Sequence, residues 1–217
     1  WEDVDKPDIL CLQEVIETDT RNQAEEIAFD LDYPNYLFIP EQLNGDHTEG
    51  IAILSIYPLS REETFELYHT KVRRVATKVF VTSLGVEIIN THLSFSENDE
   101  SKKQLIQVLE IPERDVYQFV TGDFNQMPPD TEPIFAKFPR WRRDVELNTW
   151  PVHVEQFKAA REKAMGKPLT FSTTPRQIDY ILASGDPELI DSRKYDLMGT
   201  NGLCASDHAL IVNRYEI

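Results

Sequence analysis

Residues 116–125 read VYQFVTGDFN. Val116–Thr121 has the apolar density of a strand buried on both faces, and it breaks at Gly122 into a carboxylate, an aromatic ring and an amide. Four other apolar runs end in the same way, at Gln13-Glu14, Asn90-Thr91-His92, Gln177-Ile178-Asp179 and Ser206-Asp207-His208. Such groups are costly to bury without partners. Strand ends brought to one rim would therefore gather four carboxylates and two histidines around a divalent cation.

Outward from that stretch, short strands are expected at 8–13, 35–39, 50–56, 61–67, 73–82, 85–91, 177–183, 188–196 and 208–213. Ser83-Leu84-Gly85 reads as a hairpin turn. Helices are expected at 19–31, capped by Asp19 with Ala24, Ile27, Ala28 and Leu31 on one face, and at 101–110, ended by Pro112. Residues 128–168 are proline-rich and carry a charged, helix-prone stretch at 154–164, which reads as a long connection on the same domain. One domain over 1–217 is expected, an α+β fold with two packed sheets and helices outside.

Hydrophobic residues make up 41% of the 217 positions, enough for a packed core and too many for a disordered chain. The net charge of −16 opposes strong binding to long duplex nucleic acid, whose affinity rests on neutralised phosphates. A small or neutral-headed substrate is easier to accommodate. No apolar run approaches the ~18 residues of a transmembrane helix, and Trp1-Glu2-Asp3-Val4-Asp5 does not open a signal peptide, so the segment is expected to be soluble. Cys11 and Cys204 make no disulfide framework and leave the compartment open.

Each polar group alone has a plainer reading. Glu14 fits a solvated strand end, Asp123 a turn after glycine, His92 a satisfied core histidine and Asp207 a cap beside Ser206. Asn125 with Pro128 fits the start of a loop. Their occurrence together and in order changes the weighting. LQEV at 12–15, GIAILSIYPL at 50–59, NTHL at 90–93, GDFN at 122–125, QIDYIL at 177–182 and SDHALI at 206–211 resemble the endonuclease/exonuclease/phosphatase superfamily, which shares the fold of pancreatic deoxyribonuclease. No Walker loop, G-x-S-x-G, C-x-x-C or dinucleotide-binding fingerprint competes.

The resemblance implies a four-layer α/β/β/α sandwich of two mixed sheets and a divalent-metal-dependent phosphoesterase. It makes Glu14 the main Mg²⁺ ligand, with Mn²⁺ as the other candidate, and Asp207 a further metal-side carboxylate. Asp123 and Asn125 would hold the scissile phosphate and attacking water. His208 would be the general base, with Asp179 holding its ring, and His92 would contact or protonate the phosphate. Asn90, Arg73 and Arg74 would lie on the substrate side; an exposed strand-edge pair is the equal alternative for the two arginines. His92 favours the deoxyribonuclease, sphingomyelinase, deadenylase and inositol-phosphatase branches over abasic-site endonucleases. Arg176-Gln177-Ile178-Asp179, where inositol polyphosphate 5-phosphatases carry Cys-Asp-Arg, disfavours that branch.

Family members open with a strand bearing an asparagine near the metal, followed by a helix, whereas this chain reaches Leu12 almost at once. Truncation and divergence both account for that departure. Two rivals accompany the phosphoesterase reading. A nuclease on DNA or RNA is opposed by the charge, although Arg140, Arg142 and Arg143 beside Trp141 offer a local basic patch whose plainer reading is a solvated helix or loop end. A binding or scaffold domain without turnover is opposed by the intact set of costly groups.

Overall fold

The computed structural model describes residues 6–95, 99–112, 114–126, 128–143, 177–195, 206 and 208–217. One sheet contains β1 (Ile9–Thr18), β2 (Arg21–Asn22), β3 (Asn35–Asn44) and β4 (His47–Ser55) in the order β2-β1-β4-β3. These described strands pair antiparallel throughout. The second contains β5 (Leu59–Glu66), β6 (Val75–Val81), β7 (Val86–His92), β8 (Tyr117–Asp123), β9 (Arg142–Arg143) and β10 (Asp179–Ser184) in the order β5-β6-β7-β8-β10-β9. It is mixed, because β7 and β8 run parallel. A parallel pair needs a crossover, and α2 (Glu100–Leu109) lies within it. The other described helices are α1 (Gln23–Asp30) and α3 (Pro128–Phe135), and β11 (Glu188–Tyr195) pairs with β12 (Leu210–Glu216) as a separate ribbon.

Period-two alternation sorts the apolar residues into layers. Ile53 of β4, Val79 and Val81 of β6, Val86 and Ile88 of β7, Phe119 of β8 and Ala183 of β10 meet between the sheets. Ala52 and Leu54, one position off, face outward with Leu10 onto Ala24 and Ala28 of α1. Ile89, Val120 and Leu182 face the opposite way, onto Leu105, Val108 and Leu109 of α2 and Ile134 of α3. The expected α/β/β/α sandwich follows. Every residue of β7 is buried, including the polar Glu87, Asn90, Thr91 and His92.

Asn90 locks the sheets together. Its buried amide donates to the carbonyls of Leu12 (3.0 Å) and Ala52 (2.9 Å), and its Oδ1 accepts from Gln13 Nε2 (2.8 Å). The expected turn after β6 is present, with Gly85 donating to Val81 O at φ +66°.

Several boundaries differ from expectation. β1 continues to Thr18 because a bulge between Leu12 and Val15 absorbs Gln13 and Glu14, with Glu14 at φ +56°. The first helix starts at Gln23, since Asn22 supplies the cap by accepting from Ala24 N and Glu25 N, and Asp19 lies in the β1–β2 turn. The connection expected from 128 opens with α3 and β9; its helix-prone 154–164 lies outside the described residues. No described helix is long and apolar enough to cross a membrane.

Candidate active site

Three adjacent strands build the centre of the site by register alone. His92 of β7 pairs with Asp123 of β8, and Asp123 pairs with Asp179 of β10, so the three side chains stand in one row. They share the alternation of Ile88, Phe119 and Ala183 and therefore face the other sheet. Gly122 permits this closeness. It sits at φ +145°, and a Cβ there would lie 1.9 Å from Thr91 O.

The turn after β8 is tied to the end of β7. Asp123 Oδ1 accepts from Asn125 N (2.7 Å), Asn125 Nδ2 donates to Leu93 O (2.8 Å), and Leu93 N donates to Asp123 O (2.8 Å). Phe124 is buried beneath this turn and stacks on Tyr180 with ring centroids 4.9 Å apart.

His208 reaches the row from just before β12. Its Nδ1 lies 2.9 Å from Asp179 Oδ2 and 3.1 Å from Oδ1, and its backbone N–H donates to Ser206 Oγ (3.0 Å). A carboxylate facing Nδ1 places the ring proton there and leaves Nε2 with the lone pair. Both side chains are mostly buried with one side open to solvent.

His92 has the opposite environment. Its Nδ1 lies 3.1 Å from Arg74 Nη1 and its Nε2 lies 3.6 Å from Asp123 Oδ2. Burial, then the Arg74 guanidinium and His208, hold its ring well below the usual imidazole range, so it is neutral. Asp123 is pushed well above the ordinary carboxyl range by burial first and then by Asp179 and Glu14, against His208 and the Asn125 N–H. Carboxylates so crowded suit a hard, oxygen-ligated cation. Donor atoms of Asp123, Asp179 and His208 lie within 4.8 Å of one another, but Asp179 and His208 are engaged with each other. Glu14, exposed and turned by its bulge, adds its negative charge to the field at Asp123. Asp207, the other expected ligand, lies outside the described residues.

Two substrate-side expectations land elsewhere. Asn90 is fully buried and its amide is spent on the two sheets, so it presents nothing to a substrate. Arg73 donates to Pro40 O (2.7 Å) and lies 3.5 Å from Glu66. Arg74 does join the site. Sequence reasoning missed its partner Glu41, a buried residue at a β3 bulge between Pro40 and Gln42, whose Oε2 accepts from Arg74 Nη1 (2.8 Å) and whose Oε1 accepts from Val75 N (3.0 Å). Burial pushes the Glu41 carboxyl up to about 7, while Arg74 pulls the other way.

The basic patch is occupied structurally. Arg140 donates to the Leu109 and Ile111 carbonyls, Arg142 pairs with Asp186, Arg143 pairs with Glu132, and Trp141 is buried. A cleft of about 690 Å³ runs beneath the row along β1 and β12, lined by Ile9, Cys11, Phe119, Val212 and Tyr215 and reaching Asp179.

Fold and site define an α/β/β/α sandwich with an acid and imidazole centre at the rim between its sheets. The chain belongs to the endonuclease/exonuclease/phosphatase family, whose family model matches residues 3–208. No curated protein matches it in sequence. Among solved structures it is similar to an endonuclease/exonuclease/phosphatase from Beutenbergia cavernae DSM 12333, with TM-score 0.71 and 19% identity over 95% of this chain and 62% of that one. An endonuclease/exonuclease/phosphatase family protein from Leptotrichia buccalis C-1013-b gives TM-score 0.68 at 14% identity over 97% and 87%. TDP2 from D. rerio, complexed with single strand DNA product, gives TM-score 0.68 at 16% identity over 97% and 86%. The chain thus spans less than two thirds of the length of the Beutenbergia protein.

Proposed function

We propose that the chain is a divalent-metal-dependent phosphoesterase that cleaves a phosphodiester or phosphomonoester by direct attack of water. The observation that carries this reading is the His208–Asp179 pair, held beside the row of Asp123 and His92 on the face turned toward the other sheet. His208 Nε2 takes the proton from the attacking water, and Asp179 stabilises the imidazolium that forms. Asp123 and Asn125 orient the water and phosphate. His92 donates from Nε2 to a phosphoryl oxygen; as a neutral ring beside Arg74 it is a contact and not an acid. Glu14, with Asp207, would hold Mg²⁺ or Mn²⁺, which when bound supplies positive charge to the phosphoryl oxygens. No covalent intermediate is needed. Residues 1–217 act as one domain in this reading, because both sheets contribute to the site.

A small or lipid-type substrate is favoured over long nucleic acid. The net charge is −16, and Arg140, Arg142 and Arg143 are engaged within the protein. Turnover with Mg²⁺ over bis-p-nitrophenyl phosphate, sphingomyelin, inositol phosphates and oligonucleotides tests the reading. Hydrolysis of one of the non-nucleic substrates that is lost in His208→Ala is expected; no turnover of any of them overturns it.

A further inference from the structure

We propose that Glu41 is a positioning residue, acting through Arg74 to fix His92 as the tautomer whose Nε2–H faces Asp123 and the phosphoryl group. The proposal rests on the phosphoesterase reading for its kinetic consequence and on geometry for the tautomer.

The bulge between Pro40 and Gln42 turns Glu41 inward, where its carboxylate accepts from Val75 N (3.0 Å) and from Arg74 Nη1 (2.8 Å). That nitrogen carries two hydrogens. One goes to Glu41 and the other faces His92 Nδ1 at 3.1 Å. A guanidinium has no acceptor, so Nδ1 must offer its lone pair and the ring proton must sit on Nε2. A ring protonated on Nδ1 would set donor against donor. Glu49 approaches the same arginine only to 3.9 Å, beyond hydrogen-bond reach, so Glu41 is the group that aims it. Stability alone is a poor reason for the pair, since buried ion pairs are often matched by apolar residues of similar volume. Orientation of His92 is what an apolar substitute could not supply.

The test uses the full chain with Mg²⁺ and ¹⁵N-labelled histidine. Long-range ¹H–¹⁵N correlation should show His92 unprotonated at Nδ1 and protonated at Nε2 in the wild type, with that preference lost in Glu41→Gln and kept in Glu49→Gln. Against a substrate of the panel, Glu41→Gln should lower kcat by roughly 10–100-fold with KM nearly unchanged, as for other groups that orient a functional histidine. On a His92→Ala background the same change should cost less than about twofold, because coupled residues do not add. A wild-type His92 carrying its proton on Nδ1 overturns the proposal. So does a Glu41→Gln loss of equal size with and without His92, or no loss at all. Should Glu41→Gln not fold, the wild-type ring signals and those of Arg74→Met, which has no donor for Nδ1, decide the tautomer. If nothing in the panel is hydrolysed, the functional reading fails while the ring signals still test the relay.

Discussion

Gly122→Ala tests whether the closeness of β7 and β8 creates the row of His92, Asp123 and Asp179. The added methyl would lie 1.9 Å from Thr91 O and 2.9 Å from Thr91 C, both backbone atoms of the neighbouring strand. Thr91 and Gly122 are register partners in the parallel ladder, so neither can retreat without lengthening hydrogen bonds beside His92 and Asp123. Overpacking adds roughly 1–3 kcal/mol and the unfavourable φ about as much again, for roughly 2–6 kcal/mol in total. Gly85→Ala is the matched control. It has φ +66° and nothing within 4 Å of a built Cβ, so it carries only the backbone term, about 1–2 kcal/mol. For a chain of this length each kcal/mol lowers Tm by roughly 2–4 °C. Urea unfolding, followed by fluorescence that includes buried Trp141, should rank Gly122→Ala well below Gly85→Ala. Equal losses from the two variants, within about 1 kcal/mol, would refute the argument, because backbone strain alone would then explain both.

His208→Ala should lower kcat by roughly 10²–10⁴, the usual contribution of a general base, with an unchanged unfolding midpoint, and Asp179→Asn should be milder; unchanged kcat in His208→Ala sinks the assignment. Excess EDTA should abolish turnover and Mg²⁺ restore it, while Glu14→Gln should need more Mg²⁺ and regain part of its activity at high concentration; full turnover in EDTA contradicts this. Binding to long duplex DNA at physiological salt should be weak, and sub-micromolar affinity that falls steeply with added salt would show that the −16 charge conceals a nucleic-acid surface.

The central strands were legible because their burial is local information. VEIIN and QFV are mostly apolar, and the polar residues within them, Glu87, Asn90 and Gln118, are buried with their neighbours, the two strands ending at His92 and Asp123. The limit of β1 was not legible at Glu14. A bulge is set by what the partner strand does, and β4 holds Ala52 and Gly50 opposite Leu12 and Val15. Asp19 and Asn22 are both competent caps, and the short β1–β2 pairing decided between them. Glu41 gave no signal, since its partners Arg74 and Val75 are 33 and 34 residues away and only the juxtaposition of the two sheets brings them together. The same distance misled the reading of Asn90. Its amide looks available in NTHL, and its acceptors belong to strands 78 and 38 residues away.

The two histidines show how one kind of side chain is given two proton arrangements by its neighbours. In both, the partner approaches Nδ1, and the sign of that partner sets the rest. Asp179 presents acceptors to His208, so the proton stays on Nδ1 and Nε2 keeps the lone pair that the proposed mechanism uses as its base. Arg74 presents a donor to His92, so the lone pair stays on Nδ1 and Nε2 faces Asp123 as a donor. Each partner also fixes the charge its ring can carry: Asp179 stabilises an imidazolium at His208, and Arg74 opposes one at His92. A proton taken from water at one end of the row therefore has no favourable resting place at the other. Exchanging the signs of the two partners would turn the base into a donor and the donor into a base without moving either ring.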